Sequence, residues 1–330
     1  MIASNRRRFL GQGVSLASGT VLPAGWAHAQ SAPWPRQPIR IVVTFPPGGA
    51  SDIVARLIAP ALGAQLGQSV IVENRPGAGS TIGAAAVAQA RPDGYTLLAS
   101  NSAPLSISPF LMAQPTYDPI RSFTHLAYVG AVPMVLAVHP TLPVADFRQF
   151  LDWARAQKDA VPFGSGGTAS VGHIVGELLA RHAGLRLLHV PYKGAGPMRT
   201  DLLGGQLRMA VDALPQNLPL MKSGKLRLLA VTSRARVPSA SDLPTVGELG
   251  LPQLIAENFV GLSAPAGLPP DIATRIVEGV HTALADSTIR TKLADQGFVL
   301  DRKSPAEFTA FIRDQAERWA PVVKASGAQI

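Results

Sequence analysis

From Ile39 onwards, short apolar runs rich in β-branched residues alternate with stripes of apolar residues spaced three and four apart, and Gly/Pro turns separate the two. Residues 39–45 (IRIVVTF) read as a strand buried on both faces. Pro46, Pro47, Gly48 and Gly49 end it in a sharp turn. Ser51 is the expected N-cap of the helix that follows, and Asp52 places a negative charge in its first turn. Val54, Ile58 and Leu62, with Ile53, Leu57 and Ala61, form the inward face, and Pro60 is expected to kink the helix by removing a backbone bond. A strand at 69–73, a loop at 74–79, an alanine-rich helix from Thr81 to Ala90 and a strand at 95–99 continue the alternation. This order predicts a largely parallel sheet with helices on both faces.

Residues 100–119 read as polar and irregular, with prolines at 104, 109, 115 and 119. The apolar run at 126–138, interrupted at Pro133, suits a segment crossing from one domain into another. A helix at 145–157 precedes a second strand–glycine turn–helix unit, in which Gly164-Ser165-Gly166-Gly167-Thr168-Ala169-Ser170 leads into a stripe of Val171, Ile174, Val175, Leu178 and Leu179. Strands at 187–192, 207–213 and 226–232, a turn at 193–197 and a short helix at 198–203 make the second half α/β as well. Residues 257–265 read as a strand returning to the first domain, and helices follow at 270–286, 287–296 and 305–325. The expected organisation is a discontinuous first domain, 33–133 plus 258–330, around a second domain, 134–257.

Residues 1–29 stand apart from this pattern. Paired arginines before Phe9-Leu10 resemble a twin-arginine export signal, although Arg6, Arg7 and Arg8 also suit the general secretory route. A mildly apolar stretch leads to Ala27-His28-Ala29, an A-x-A cleavage site, so the mature chain is expected to begin at Gln30 outside the cytoplasm. No later stretch is apolar for long enough to span a bilayer.

The net charge of +9 falls to +6 without this segment, leaving 27 basic against 21 acidic residues. The remainder contains no basic run interleaved with aromatics, so a general attraction for anions is expected and nucleic-acid binding is not. The absence of cysteine excludes disulfides and thiolate metal sites. No His/Glu metal motif is present, and neither a metal nor another cofactor is expected. Gly77-x-Gly79-x-x-x-Gly83 misses the dinucleotide fingerprint by one residue and reads as loop chemistry.

The two glycine–hydroxyl turns, each opening a helix, suggest a clamp around one anion built from backbone N–H groups without an arginine. Asp52 and His173 are expected to order their own loops, since the first would repel an anion and the second sits in the first turn of a helix. Asp212 either caps the Gln216-Asn217 segment or hydrogen-bonds a ligand hydroxyl or amine. Thr168-x-Ser170-x-Gly172 approximates a nucleophile elbow with Thr in place of its first glycine, so a serine hydrolase using Ser170, with His173, His189 and Asp212 as candidate partners, is the enzymatic alternative.

In order along the chain, PIRIVVTFPPGGASDIVARLIA, VIVENRPGAGSTIGAAAVAQARPDGYTLL, FGSGGTASVGH, HVPYKGAGPMRTDLLGGQ, AVDALPQNLPLMKSGKLRLLAVTS, DLPTVGELG and GLSAPAGLP resemble the tripartite tricarboxylate transporter substrate-binding family, also called the Bug family. The resemblance implies a monomeric, non-enzymatic periplasmic binding protein of the two-domain, type II-like α/β class, with two crossover segments closing on a small carboxylate like a Venus flytrap. It implies that one carboxylate is held between the first turn (Phe45, Pro47, Gly48, Gly49 and Ser51) and the second (Ser165, Gly166, Thr168, Ala169 and Ser170). Ser100, Asn101, Tyr192, Lys193 and Asp212 are the positions expected to meet the distal end of the ligand. The ligand would be a di- or tricarboxylate, an aromatic acid or an amino acid. The partners would be the subunits of a membrane transporter or, alternatively, a sensor receptor. Pro60, and Ala213 where a polar residue such as Asn is expected, depart from the family pattern. Replacing Arg6 and Arg7 together by Lys is expected to trap precursor inside the cell, read by cell fractionation and N-terminal sequencing; normal export of the double variant would exclude the twin-arginine route.

Overall fold

The computed structural model describes residues 34–325; the export segment, the cleavage point at Ala29 and the mature start at Gln30 lie outside the described residues. β1 (Ile39–Val43) is buried at every position except Arg40 and leads into α1 (Ala50–Leu66). The N-cap of α1 is Gly49 rather than Ser51, which lies inside the helix, and the helix runs on through Pro60 without a break. Its Val54, Ile58 and Leu62 are buried, whereas Ile53, Leu57 and Ala61, expected on the same inward face, are only half-buried. β2 (Val70–Asn74), α2 (Thr81–Ala88) and β3 (Thr96–Asn101) complete the first unit, with β1 parallel to both neighbouring strands.

β4 (Phe123–Val138) is one strand of 16 residues that continues through Pro133. After it come α3 (Phe147–Ala156), β5 (Val161–Ser165), α4 (Val171–Ala183), β6 (Leu187–Pro191), α5 (Ala195–Leu203), β7 (Met209–Ala213), α6 (Leu214–Lys222) and β8 (Arg227–Val231). α6, for which no helix was expected from the sequence, carries Pro215 in its first turn, where an N–H is not needed, and Pro219 inside it. The chain returns through β9 (Glu257–Pro265) and ends in α7 (Pro270–Ala285), α8 (Ser287–Asp295), the short β10 (Val299–Leu300) and α9 (Pro305–Ala325).

The strands run β2-β1-β3-β9-β4-β7-β5-β6, with β8 and β10 also pairing with β4. The flanks are parallel, whereas the pairs made by β4 and β9 in the centre are antiparallel. β4 is shared: its first part, from Phe123 to Pro133, pairs with β9, and its last, from Met134 to Val138, lies between β7 and β8. The stretch after β3, expected to be irregular, forms short helical turns at Ala103–Ile107 and Ser108–Phe110. Leu105, Ile107 and Tyr117 are buried there, and the turns pack against α9, because apolar residues between the prolines have a partner face. α9 buries Phe308, Ile312, Ala316, Trp319 and Val323, one stripe along its length. Among the described residues no helix is long and apolar enough to cross a membrane.

α4 approaches β5 so closely that a Cβ at Gly176 would overlap the Phe163 ring, which is fully buried. Gly176→Ala is therefore expected to cost about 1–3 kcal/mol of stability through overpacking. Denaturant unfolding measures this, and a loss below about 0.5 kcal/mol would mean that the Phe163 side moves aside freely.

Candidate functional site

The turns after β1, β5, β6 and β7 all lie at the carboxyl ends of their strands, and each opens a helix. Gly48 and Gly49 precede α1, Ser170 caps α4, Gly194 precedes α5 and Ala213 precedes α6. All four starts line one cavity of about 80 Å³, together with Phe45, Pro46, Pro47, Ala103, Met134, Gly166 and Asn258. Each helix N-terminus carries the equivalent of about half a positive charge. Four of them on one small cavity favour an anion.

Side chains prepare these turns. The Asp52 carboxylate accepts the Gly48 N–H (2.9 Å), Arg56 Nε (3.0 Å) and Asn74 Nδ2 (2.9 Å). Burial opposes its charged form, but these bonds outweigh burial and hold the carboxyl below its ordinary value. Gly48 takes φ +85°, a left-handed conformation that suits glycine, and its N–H is thereby turned to Asp52. In the second turn Ser170 Oγ accepts the His173 N–H (3.2 Å), while His173 Nδ1 accepts the Ala169 N–H (3.3 Å). The His173 ring stacks on His189 at 3.9 Å and 17°, and His189 Nε2 lies 2.7 Å from Ser165 Oγ. Burial lowers the pKa of His173 to about 4; burial and then the neighbouring His173 lower that of His189 to about 3. Both rings are neutral at pH 7, as an accepting Nδ1 on His173 demands.

Asp212, at the end of β7, accepts Arg199 Nη1 at 3.0 Å and Asn217 Nδ2 at 2.8 Å. An arginine thus stands beside the cavity after all, supplied by α5, and it compensates a carboxylate that would otherwise repel an anion. Asn217 also donates to the Ala213 carbonyl (2.8 Å), and its Oδ1 is buried without a partner among the described residues.

A second, larger chamber of about 570 Å³ adjoins the first and shares Phe45, Pro46, Gly166 and Gly194 with it. A Cβ on Gly194 would come within 2.9 Å of Pro46 Cγ, so the first turn closes directly over the fourth residue of this shared wall. Of the expected site residues, Phe45 and Gly166 line both chambers; Pro47, Gly48, Gly49, Ser170 and Asp212 line the inner; Thr168, Tyr192 and Lys193 line the outer. The remaining five line neither. Ser51 is buried in α1, and Ser165 supports the turn through His189. The N–H of the fully buried Ala169 is bonded to His173. Ser100 Oγ lies 2.5 Å from Ser263 Oγ, and Asn101 bonds Thr44, Ala99 and Ala103 within the sheet edge. Ala103, Asn258 and the start of α5 were missed; only the last had a signal, the Lys193-Gly194-Ala195-Gly196 turn.

The family model described as tripartite tricarboxylate transporter family receptor matches residues 54–328. BugT of Bordetella pertussis is 36% identical over 312 residues, covering 94% of this chain and 96% of its own. The R. palustris protein Rpa4515, solved with adipate, superposes with a TM-score of 0.85 at 33% identity, covering 90% of this chain and all (100%) of its own. MatC of Rhodopseudomonas palustris, with bound malate, gives 0.83 at 31% identity, covering 88% and 100%.

Buried neutral histidines also set the acid stability. His125, between Ser263 Oγ (2.8 Å) and the Pro119 carbonyl (3.0 Å), is lowered to about 4, chiefly by burial. His125, His173 and His189 each have a folded pKa below the ordinary 6.5, so the unfolded chain takes up protons first. Their contribution is complete above pH 6.5 and is lost as pH falls toward 4 and 3. Thermal melts should therefore fall steadily over that window, and a flat profile would show that the folded rings take up protons as readily as the unfolded ones.

Proposed function

We propose that this chain, which belongs to the tripartite tricarboxylate transporter receptor family, captures a small organic carboxylate in the inner chamber and delivers it to a membrane transporter. The observation that carries the reading is the meeting of four helix N-termini on one small cavity. A micromolar complex requires about 8 kcal/mol. Bonds from N–H groups to a charged acceptor contribute about 1.5–3 kcal/mol each, so a few backbone donors and the Ser170 hydroxyl suffice after ordering costs. The adipate and malate bound by two relatives support an organic acid as the ligand.

In this reading residues 33–133 and 258–330 form one lobe and 134–257 the other, and β4 and β9 are the hinge. Contact between Pro46 and Gly194 marks the closed form. The protein works in the periplasm after export, and its closed form is what the transporter subunits meet. Ser170 acts as a helix cap and ligand hydroxyl rather than a nucleophile: its Oγ accepts a backbone N–H, and the His173 Nδ1 that a base would need is occupied by Ala169.

Gly166 offers a clean test, because a Cβ there meets nothing closer than 3.7 Å while the residue lines both chambers. Gly166→Leu should abolish binding of adipate and malate in calorimetric titrations while leaving the melting temperature nearly unchanged. In the wild type, ligand should reduce the radius of gyration in solution scattering. Full affinity in Gly166→Leu would move the site elsewhere, and no binding of any carboxylate by the wild type would end the reading.

A further inference from the structure

A cavity of about 320 Å³ lies between α7, α8, β10 and the first part of β4, and it shares no lining residue with either chamber. Tyr128, His281, Arg290 and Arg302 bring hydrogen-bond donors to it. Arg302 Nη2 lies 3.2 Å from His281 Nδ1. A guanidinium only donates, so Nδ1 accepts and the ring carries its proton on Nε2. Burial, and then the charge of Arg302, lower the pKa of His281 and keep the ring neutral at pH 7. Its Nε2–H is buried without a partner among the described residues. Tyr128 is only 5% exposed, and its hydroxyl likewise has no hydrogen-bond partner among them. Burial, with the charges of Glu257 and Asp301, raises the pKa of this hydroxyl, so it remains a donor. Buried donors left unmatched cost free energy unless a ligand or water completes them.

Neither Arg290 nor Arg302 enters an ion pair among the described residues. Asp301 also lines the cavity, but its carboxylate is already matched by Lys303 and by the Arg302 backbone N–H (2.8 Å). Glu278 and Glu307 line an adjoining groove instead. Two uncompensated cations and two unmatched donors on one cavity suit a dianion, and guanidinium forks match the oxygens of a phosphate group. We propose that this cavity is a binding site for a phosphate monoester, separate from the cleft between the two glycine–hydroxyl turns. Arg290, Arg302 and the Tyr128 hydroxyl donate to the phosphate oxygens. His281 Nδ1 holds Arg302 in position, and its Nε2–H is a further donor. Leu284 and Leu300, which also line the cavity, meet the apolar body of the ester. A phosphate carries about −1.5 to −2 at pH 7, whereas a carboxylate would leave one arginine unmatched.

The test is calorimetric titration of the mature protein at low salt, because both arginines are exposed and added ions screen them. Phenyl phosphate represents a soluble ester, vesicles containing phosphatidate represent a lipid headgroup, and benzoate is the monoanionic control. The phosphate probe that binds identifies the source. In Gly166→Leu, where the cleft is obstructed, that probe should keep its wild-type affinity, and phenyl phosphate should bind about tenfold more tightly than benzoate. Arg290→Met should weaken the phosphate probe about tenfold. Tyr128→Phe keeps the ring against Phe308 and Phe311 and removes only the hydroxyl, so a loss of about threefold is expected. A melting curve for each variant checks folding. Binding of neither phosphate probe by the wild type would overturn the site, as would affinities unchanged in both Arg290→Met and Tyr128→Phe. Loss of phosphate binding in Gly166→Leu would place the anion in the cleft and overturn it too, and benzoate binding as tightly as phenyl phosphate in that variant would overturn the phosphate assignment.

Discussion

The antiparallel pairing of β4 with β9, from Phe123 opposite Pro265 to Pro133 opposite Glu257, is the constraint on which the rest depends. These two strands are central to the sheet, and β4 alone then carries on between β7 and β8. Every parallel βα unit hangs on one side or the other of this seam. Two register shifts along it, near Leu126 and Val129, show that the pair bends instead of forming one flat ribbon. The seam brings the carboxyl ends of β1, β5, β6 and β7 to one cavity, although they come from distant parts of the chain.

What gathers there is mostly backbone. Helix N-termini offer N–H groups that carry no counter-charge of their own, and a small cavity keeps water from competing with them. The charged side chains nearby are each matched. Asp52 is held by Arg56, Asn74 and the Gly48 N–H, and Asp212 by Arg199 and Asn217. His173 and His189 stay neutral by burial, which keeps His173 Nδ1 available as an acceptor for its loop. The result is a positive electrostatic end-point made of dipoles, with side-chain charges cancelled around it.

Local pattern alone determined the elements, because strand and helix periodicities and glycine turns act over a few residues: β9 and α9 have the bounds read from the sequence, and the two glycine–hydroxyl turns stand at the cavity. Local chemistry likewise marked Asp52 as a loop residue, since an acid in the first turn of a helix binds its own N–H groups. Other properties belong to residues far apart in the chain. Ser100 was expected at the ligand, but Ser263, 163 residues away, occupies its hydroxyl. Ser51 looked like a cap until Gly49 took that position, and Arg199 carried no mark of its pairing with Asp212. Pro46 stands against Gly194 although the two lie far apart in the chain. The sequence by itself thus determined the units and the backbone chemistry of the turns; tertiary structure decided which turns meet, which hydroxyls are already satisfied and which charges are cancelled.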